Sequence, residues 1–75
     1  MAEQPNNLEK LVAIATDLEL SGDLRINAIA QFGKMGTHAA LVALLDIVAN
    51  EALVWKDRIF ALKQAERILK LTKGA

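Results

Sequence analysis

The sequence predicts an all-α fold, four antiparallel helices arranged as two helical hairpins. Three observations predict it. Apolar residues recur every three or four positions through most of the chain, the spacing that lines one face of a helix. No stretch alternates apolar and polar residues for long enough to make a half-buried strand. The chain also repeats itself. Shifted by 33 residues, positions 8–35 fall on 41–68 without a gap, and eight of the 28 pairs are identical. A period of roughly 20–50 residues with helical content marks a solenoid of stacked units.

The first six residues, with Pro5 and two asparagines nearby, read as a lead-in. Asn6 is a candidate helix cap, with Glu9 at the capping-box spacing. Leu8, Leu11, Val12, Ala15 and Leu18 then give a first helix over about 7–18. Ser21 starts the next helix, with Asp23 in the first turn, where the helix dipole favours an acid. This second helix covers about 22–34, with Leu24, Ala28, Ile29, Phe32 and Met35 on one side and Gly33 and Gly36 weakening and ending it. Thr37 caps a third helix over about 38–50. Its apolar residues (Leu41, Val42, Leu44, Leu45, Ile47, Val48) cover more than one face, which predicts a central helix. A fourth helix over about 54–71 points Ile59, Leu62, Ala65, Ile68 and Leu69 inward. No glycine or proline separates the last two helices. The repeat supplies the missing boundary, because Ser21-Gly22 maps onto Val54-Trp55.

The identical pairs are Leu8/Leu41, Leu11/Leu44, Ile14/Ile47, Leu20/Leu53, Arg25/Arg58, Ile26/Ile59, Ala28/Ala61 and Gln31/Gln64. On this register Leu11, Leu44, Ile26, Ile59, Ala28 and Ala61 should all point inward as equivalent pairs. Residues 1–75 form one domain, with a first unit over about 7–36 and a second over about 37–71.

Composition narrows the function. With 53% hydrophobic residues in 75, part of the apolar surface is available for another chain, because so small a domain buries a modest fraction of itself. There is no cysteine, so neither disulfides nor thiolate metal sites are expected, as suits a cytoplasmic protein. The polar N-terminus does not read as a signal peptide. The longest apolar run, Ala39 to Leu45, is far short of the roughly 20 residues of a membrane span. Net charge is zero, whereas general nucleic-acid coating wants a positive excess. The halves differ: residues 1–50 carry six acids against three bases, and residues 51–75 carry six bases against three acids.

No residue pattern supports catalysis or a cofactor. His38 is the only histidine, and metal and acid–base sites need several partners, so it reads as a solvent-facing residue at a helix start. Asp17, Glu19 and Asp23 lack the oxygen-ligand spacing of a calcium loop and read as caps and partners of Arg25. Arg25 and Arg58 repeat, which points to architecture: each guanidinium should hold an acid or backbone carbonyls at a neighbouring turn. Trp55, the only tryptophan, either anchors the edge of the core, the preferred reading, or stands exposed as an interface residue. Lys56, Lys63 and Lys70 recur every seven residues and Arg67 joins them, forming one basic stripe on the last helix. That stripe is either a solvated face suited to a helix C-terminus or a contact for a partner.

The run Leu24-Arg25-Ile26-Asn27-Ala28-Ile29-Ala30-Gln31-Phe32-Gly33-Lys34-Met35-Gly36 resembles the second helix of a HEAT repeat, with its early Arg, a small Ala three on, then an apolar-Gly pair and another Gly. Thr37 to Ala49 is similar to the family's following first helix, and Asp57-Arg58-Ile59-Phe60-Ala61 to another second helix. The resemblance spans about residues 8–69. Glu66 stands where the first unit has Gly33, and the usual proline of the first helix is missing. The resemblance implies right-handed stacked hairpins, a short α-solenoid that serves as a scaffold or binding surface without catalysis. About three or more such units are usually needed for stability, so two leave their end faces uncovered. The function expected is therefore a protein-interaction or assembly module, through a protein partner or self-association. The alternative is a nucleic-acid or polyanion binder using the basic stripe.

Overall fold

The computed structural model describes the backbone over residues 4–74 and the side chains over 7–71. It is all-helical: α1 (Gln4–Ala15), α2 (Gly22–Met35), α3 (His38–Ala49) and α4 (Trp55–Gly74), with no strand among the described residues. The Cα atoms fill a slab of 38 × 33 × 18 Å.

Two of the expected helix starts are built as the sequence implies. The Ser21 hydroxyl accepts from the Leu24 N–H at 3.3 Å, and the Thr37 hydroxyl accepts from the Ala40 N–H at 3.1 Å. Each satisfies a backbone donor that has no partner within its own helix. Gly36 ends α2 in the left-handed conformation, φ 64°, a backbone state that costs glycine little, and its N–H reaches the Phe32 carbonyl. The start of α1 differs. The helix is already formed at Gln4, so Asn6 lies inside its first turn and not ahead of it; the Asn6 side chain lies outside the described residues.

The end of α1 also comes earlier than expected, at Ala15 instead of residue 18. Thr16 turns its hydroxyl back onto the Val12 carbonyl at 2.8 Å, and the Asp17 carboxylate accepts from the Glu19 N–H at 2.9 Å. Such short polar side chains offer the backbone an alternative to the helix ladder. The same device makes the α3–α4 break that lacks glycine and proline. The Asn50 amide oxygen accepts from the Ala52 N–H at 3.0 Å, and the Asn50 N–H closes on the Ile47 carbonyl.

The central helix is α2, not α3. It packs against α1, α3 and α4, and its Ile29 and Phe32 are fully buried. In α3, Ala40, Leu44 and Ile47 enter the core while Val42 and Leu45 stay exposed. Around them the core gathers Ala15, Ala28, Leu53, Ala61, Ala65 and Ile68. Of the paired positions, Ala28, Ala61 and Leu44 are buried and Leu11 packs half-buried against the core. Ile26 and Ile59 are half-buried and outside it.

Close packing between α2 and α4 explains where the inward residues of α4 differ from expectation. Gly33 is no helix terminator. It sits buried within α2, and a Cβ there would collide with Gln64 of α4. A helix this near admits only small or slender side chains, so α4 turns Asp57, Ala61, Gln64, Ala65 and Ile68 inward and leaves Leu62 and Leu69 exposed. Gly33→Ala therefore sets two effects against each other. Helix propensity favours alanine by about 1 kcal/mol, and overpacking against the Gln64 amide end, whose Oε1 meets the new methyl and whose Cδ would stand 3.0 Å away, costs about 1–3 kcal/mol. Urea unfolding should show net destabilisation, and Gln64→Ala in the same chain should reverse it to a gain.

Candidate interaction surfaces

Helical periodicity places the proposed contact residues on the outside of α4. Lys56, Lys63, Arg67 and Lys70 are all exposed, because each lies away from the buried Asp57–Ala61–Gln64–Ile68 row. Arg67 leans back onto the core edge, donating from Nη1 to the Gln64 Oε1 at 3.4 Å. Trp55 does not anchor the core. It is 72% exposed, because the first residue of α4 points away from the face that meets α2. His38 stands exposed at the start of α3.

The repeated arginines hold turns, as their repetition implies. Arg25 donates from Nη1 to the Leu20 carbonyl at 2.7 Å, and Arg58 donates from Nε to the Val48 carbonyl at 2.8 Å. The acid that Arg25 finds is Asp57, 2.6 Å away, and not Asp17, Glu19 or Asp23. This pair is almost sealed from water, with the two side chains 10% and 2% exposed. It ties the first turn of α4 to α2 and to the α1–α2 turn. Asp57 has one signal in the sequence: it stands where the first unit has Leu24, an acid in an apolar slot.

The repeat register sorts the exposed apolar residues. Ile14, Leu24, Gln31 and Met35 are exposed, whereas their equivalents Ile47, Asp57, Gln64 and Ile68 are buried. Asp57 and Gln64 make their contacts with α2 of the first unit. A shallow groove of about 200 Å³ runs over the uncovered set, between Leu11, Ile14, Leu24 and Gln31. A larger groove of about 540 Å³ opens between α1 and α3, lined by Leu8, Val12, Thr16, Val42 and Ile47 with Asp46 at its rim. Among the described residues no group of His, Cys, Asp and Glu could hold a metal ion, and no helix is long and apolar enough to cross a membrane. The chain matches no family model, no curated protein and no solved structure.

Proposed function

We propose that the chain is a two-unit helical-repeat module of HEAT-like build that acts in protein assembly, without catalysis. One observation carries this reading. The first unit exposes Ile14, Leu24 and Met35 at the positions whose equivalents in the second unit are buried. A surface patterned for stacking but uncovered is an interaction surface, since contiguous apolar patches on small soluble domains mark contact sites. The second unit likewise leaves Leu45, Leu62 and Leu69 exposed. The basic stripe of α4 supports a protein over a phosphate backbone, because the exposed acid Glu66 stands one helical turn from both Lys63 and Lys70.

The test is the mass in solution and the melting midpoint, followed from micromolar to millimolar concentration. Both should rise, since association that favours the folded state makes the midpoint depend on concentration. A mass of 8.2 kDa throughout, with a constant midpoint, overturns the reading.

The stripe itself should act on rate. Rim charges mostly set association rate and orientation. Lys63→Glu with Arg67→Glu should slow association at low salt, where charges are least screened. The shift in folding stability should stay within about 0.5 kcal/mol per site, as for surface substitutions generally. Stopped-flow mixing at low and high salt checks this; equal rates for wild type and variant at low salt would reduce the stripe to a solvated face.

A further inference from the structure

We infer that the outward face of α4 is a seam between two copies of this chain, paired antiparallel about a two-fold axis at Leu62; this rests on the assembly reading above. Trp55, Leu62 and Leu69 recur every seven residues and are all exposed. Arg58 and Glu66 fall in the same arc, roughly 80° wide at about 100° per residue. The buried row of Asp57, Ala61, Gln64 and Ile68 is centred roughly 130° from this arc, and buried Ala65 borders it beside Arg58. The row reads the same in both directions. Arg58 and Glu66 each stand four residues from Leu62, and Trp55 and Leu69 each stand seven.

A two-fold axis at Leu62 therefore brings Arg58 level with Glu66 of the other copy, twice, and Trp55 level with Leu69, twice, with Leu62 against itself. Self-complementarity of this kind is what an isologous interface requires. Both charged residues are available for it. Arg58 is half-buried and uses only Nε, on the Val48 carbonyl. Glu66 is exposed and forms no ion pair among the described residues.

The same residues disfavour the alternative, in which copies stack head to tail and repeat the internal contact. That contact needs a glycine where Gln64 crosses α2, and a single added Cβ collides there. On the second unit the equivalent of Gly33 is Glu66. It also needs an acid opposite the arginine, and the equivalent of Asp57 on an incoming copy is Leu24. Arg58 and Glu66 thus obstruct an open array and match each other in a closed pair.

The experiment is sedimentation equilibrium of the full chain and four variants, each checked for helix content by circular dichroism. Glu66→Arg sets arginine against Arg58 and should raise the dimer Kd at least tenfold; it breaks no hydrogen bond or ion pair among the described residues. Arg58→Glu should do the same, and an equimolar mixture of the two variants should restore dimers, because every level pair is again of opposite sign. Should Arg58→Glu fail to fold, the cysteine variants carry the test alongside Glu66→Arg. The chain has no cysteine of its own. Leu62→Cys should oxidise to a disulfide-linked dimer. Trp55→Cys should not, because its two copies would stand about 21 Å apart along the pair at 1.5 Å per residue, too far for a disulfide. Quenching of Trp55 fluorescence by iodide should fall as the wild type dimerises. Dimers indifferent to Glu66→Arg, or equal cross-linking at both cysteine positions, overturn the seam and leave assembly through another face standing. A wild-type chain that stays at 8.2 kDa to millimolar concentration overturns both.

Discussion

Asp57→Ala should remove about 3–5 kcal/mol of folding stability, the cost of leaving one partner of a buried ion pair uncompensated. Arg25 stays nine-tenths buried once the carboxylate is gone, with only the Leu20 carbonyl to receive its charge. The change also removes an acid from the first turn of α4, where the helix dipole contributes about 0.3–1 kcal/mol. Against a total of about 0.05–0.15 kcal/mol per residue, the loss takes roughly a quarter or more of what a 75-residue chain has. The pair's net value is a separate quantity from the cost of breaking it. Replacing both members, Arg25→Met with Asp57→Leu, should recover much of the loss, because two buried charges give way to apolar groups of similar length. Urea unfolding of Arg25→Met and Asp57→Leu singly and together closes the cycle, with Asp57→Ala measured beside it. A loss under 1 kcal/mol for Asp57→Ala would mean that water reaches Arg25 and that the pair does not join the two units.

The pair also marks where the sequence was legible and where it was not. Ser21 and Thr37 announce their helices because a cap and its acceptor lie three residues apart, a local relation that spacing can carry. Arg25 and Asp57 are 32 residues apart, and only the repeat register brings position 57 to notice, by placing an acid where Leu24 stands. On α4, Ala65 and Ile68 face inward as expected, but size is no guide to burial at Leu62 and Leu69. The approach of α2 at Gly33 selects small side chains instead, so Ala61 and Ala65 are buried and the larger Leu62 and Leu69 are not. Lys56, Lys63, Arg67 and Lys70 lie on one exposed side of α4, as their spacing implies, whereas nothing in the spacing marks Trp55 as exposed. The acid bordering that side, Glu66, is marked in the sequence only as a departure from the first unit's Gly33.

Leu44→Ala should cost roughly 2–5 kcal/mol, the range for truncating a buried leucine, while Leu11→Ala, its repeat equivalent, should cost clearly less. The two leucines are identical in type and in register, so local propensity and transfer free energy nearly cancel between them. What differs is cover. Leu44 is fully buried, packed among residues from both units. Leu11 lies half-buried, lining the shallow groove with Ile14, Leu24 and Gln31 on the uncovered side of the first unit. Truncating Leu44 leaves a cavity on every side, whose cost grows with its volume; truncating Leu11 leaves a dent that solvent fills. The difference between the two variants thus measures how much of the first unit's stacking face is open in the free chain. Chemical unfolding at low micromolar concentration gives that difference. Equal losses at both positions would mean that the first unit's face is covered even at that dilution, by another copy seated on Leu11, Ile14 and Leu24, and the unoccupied face that the repeat register identifies would not exist in solution.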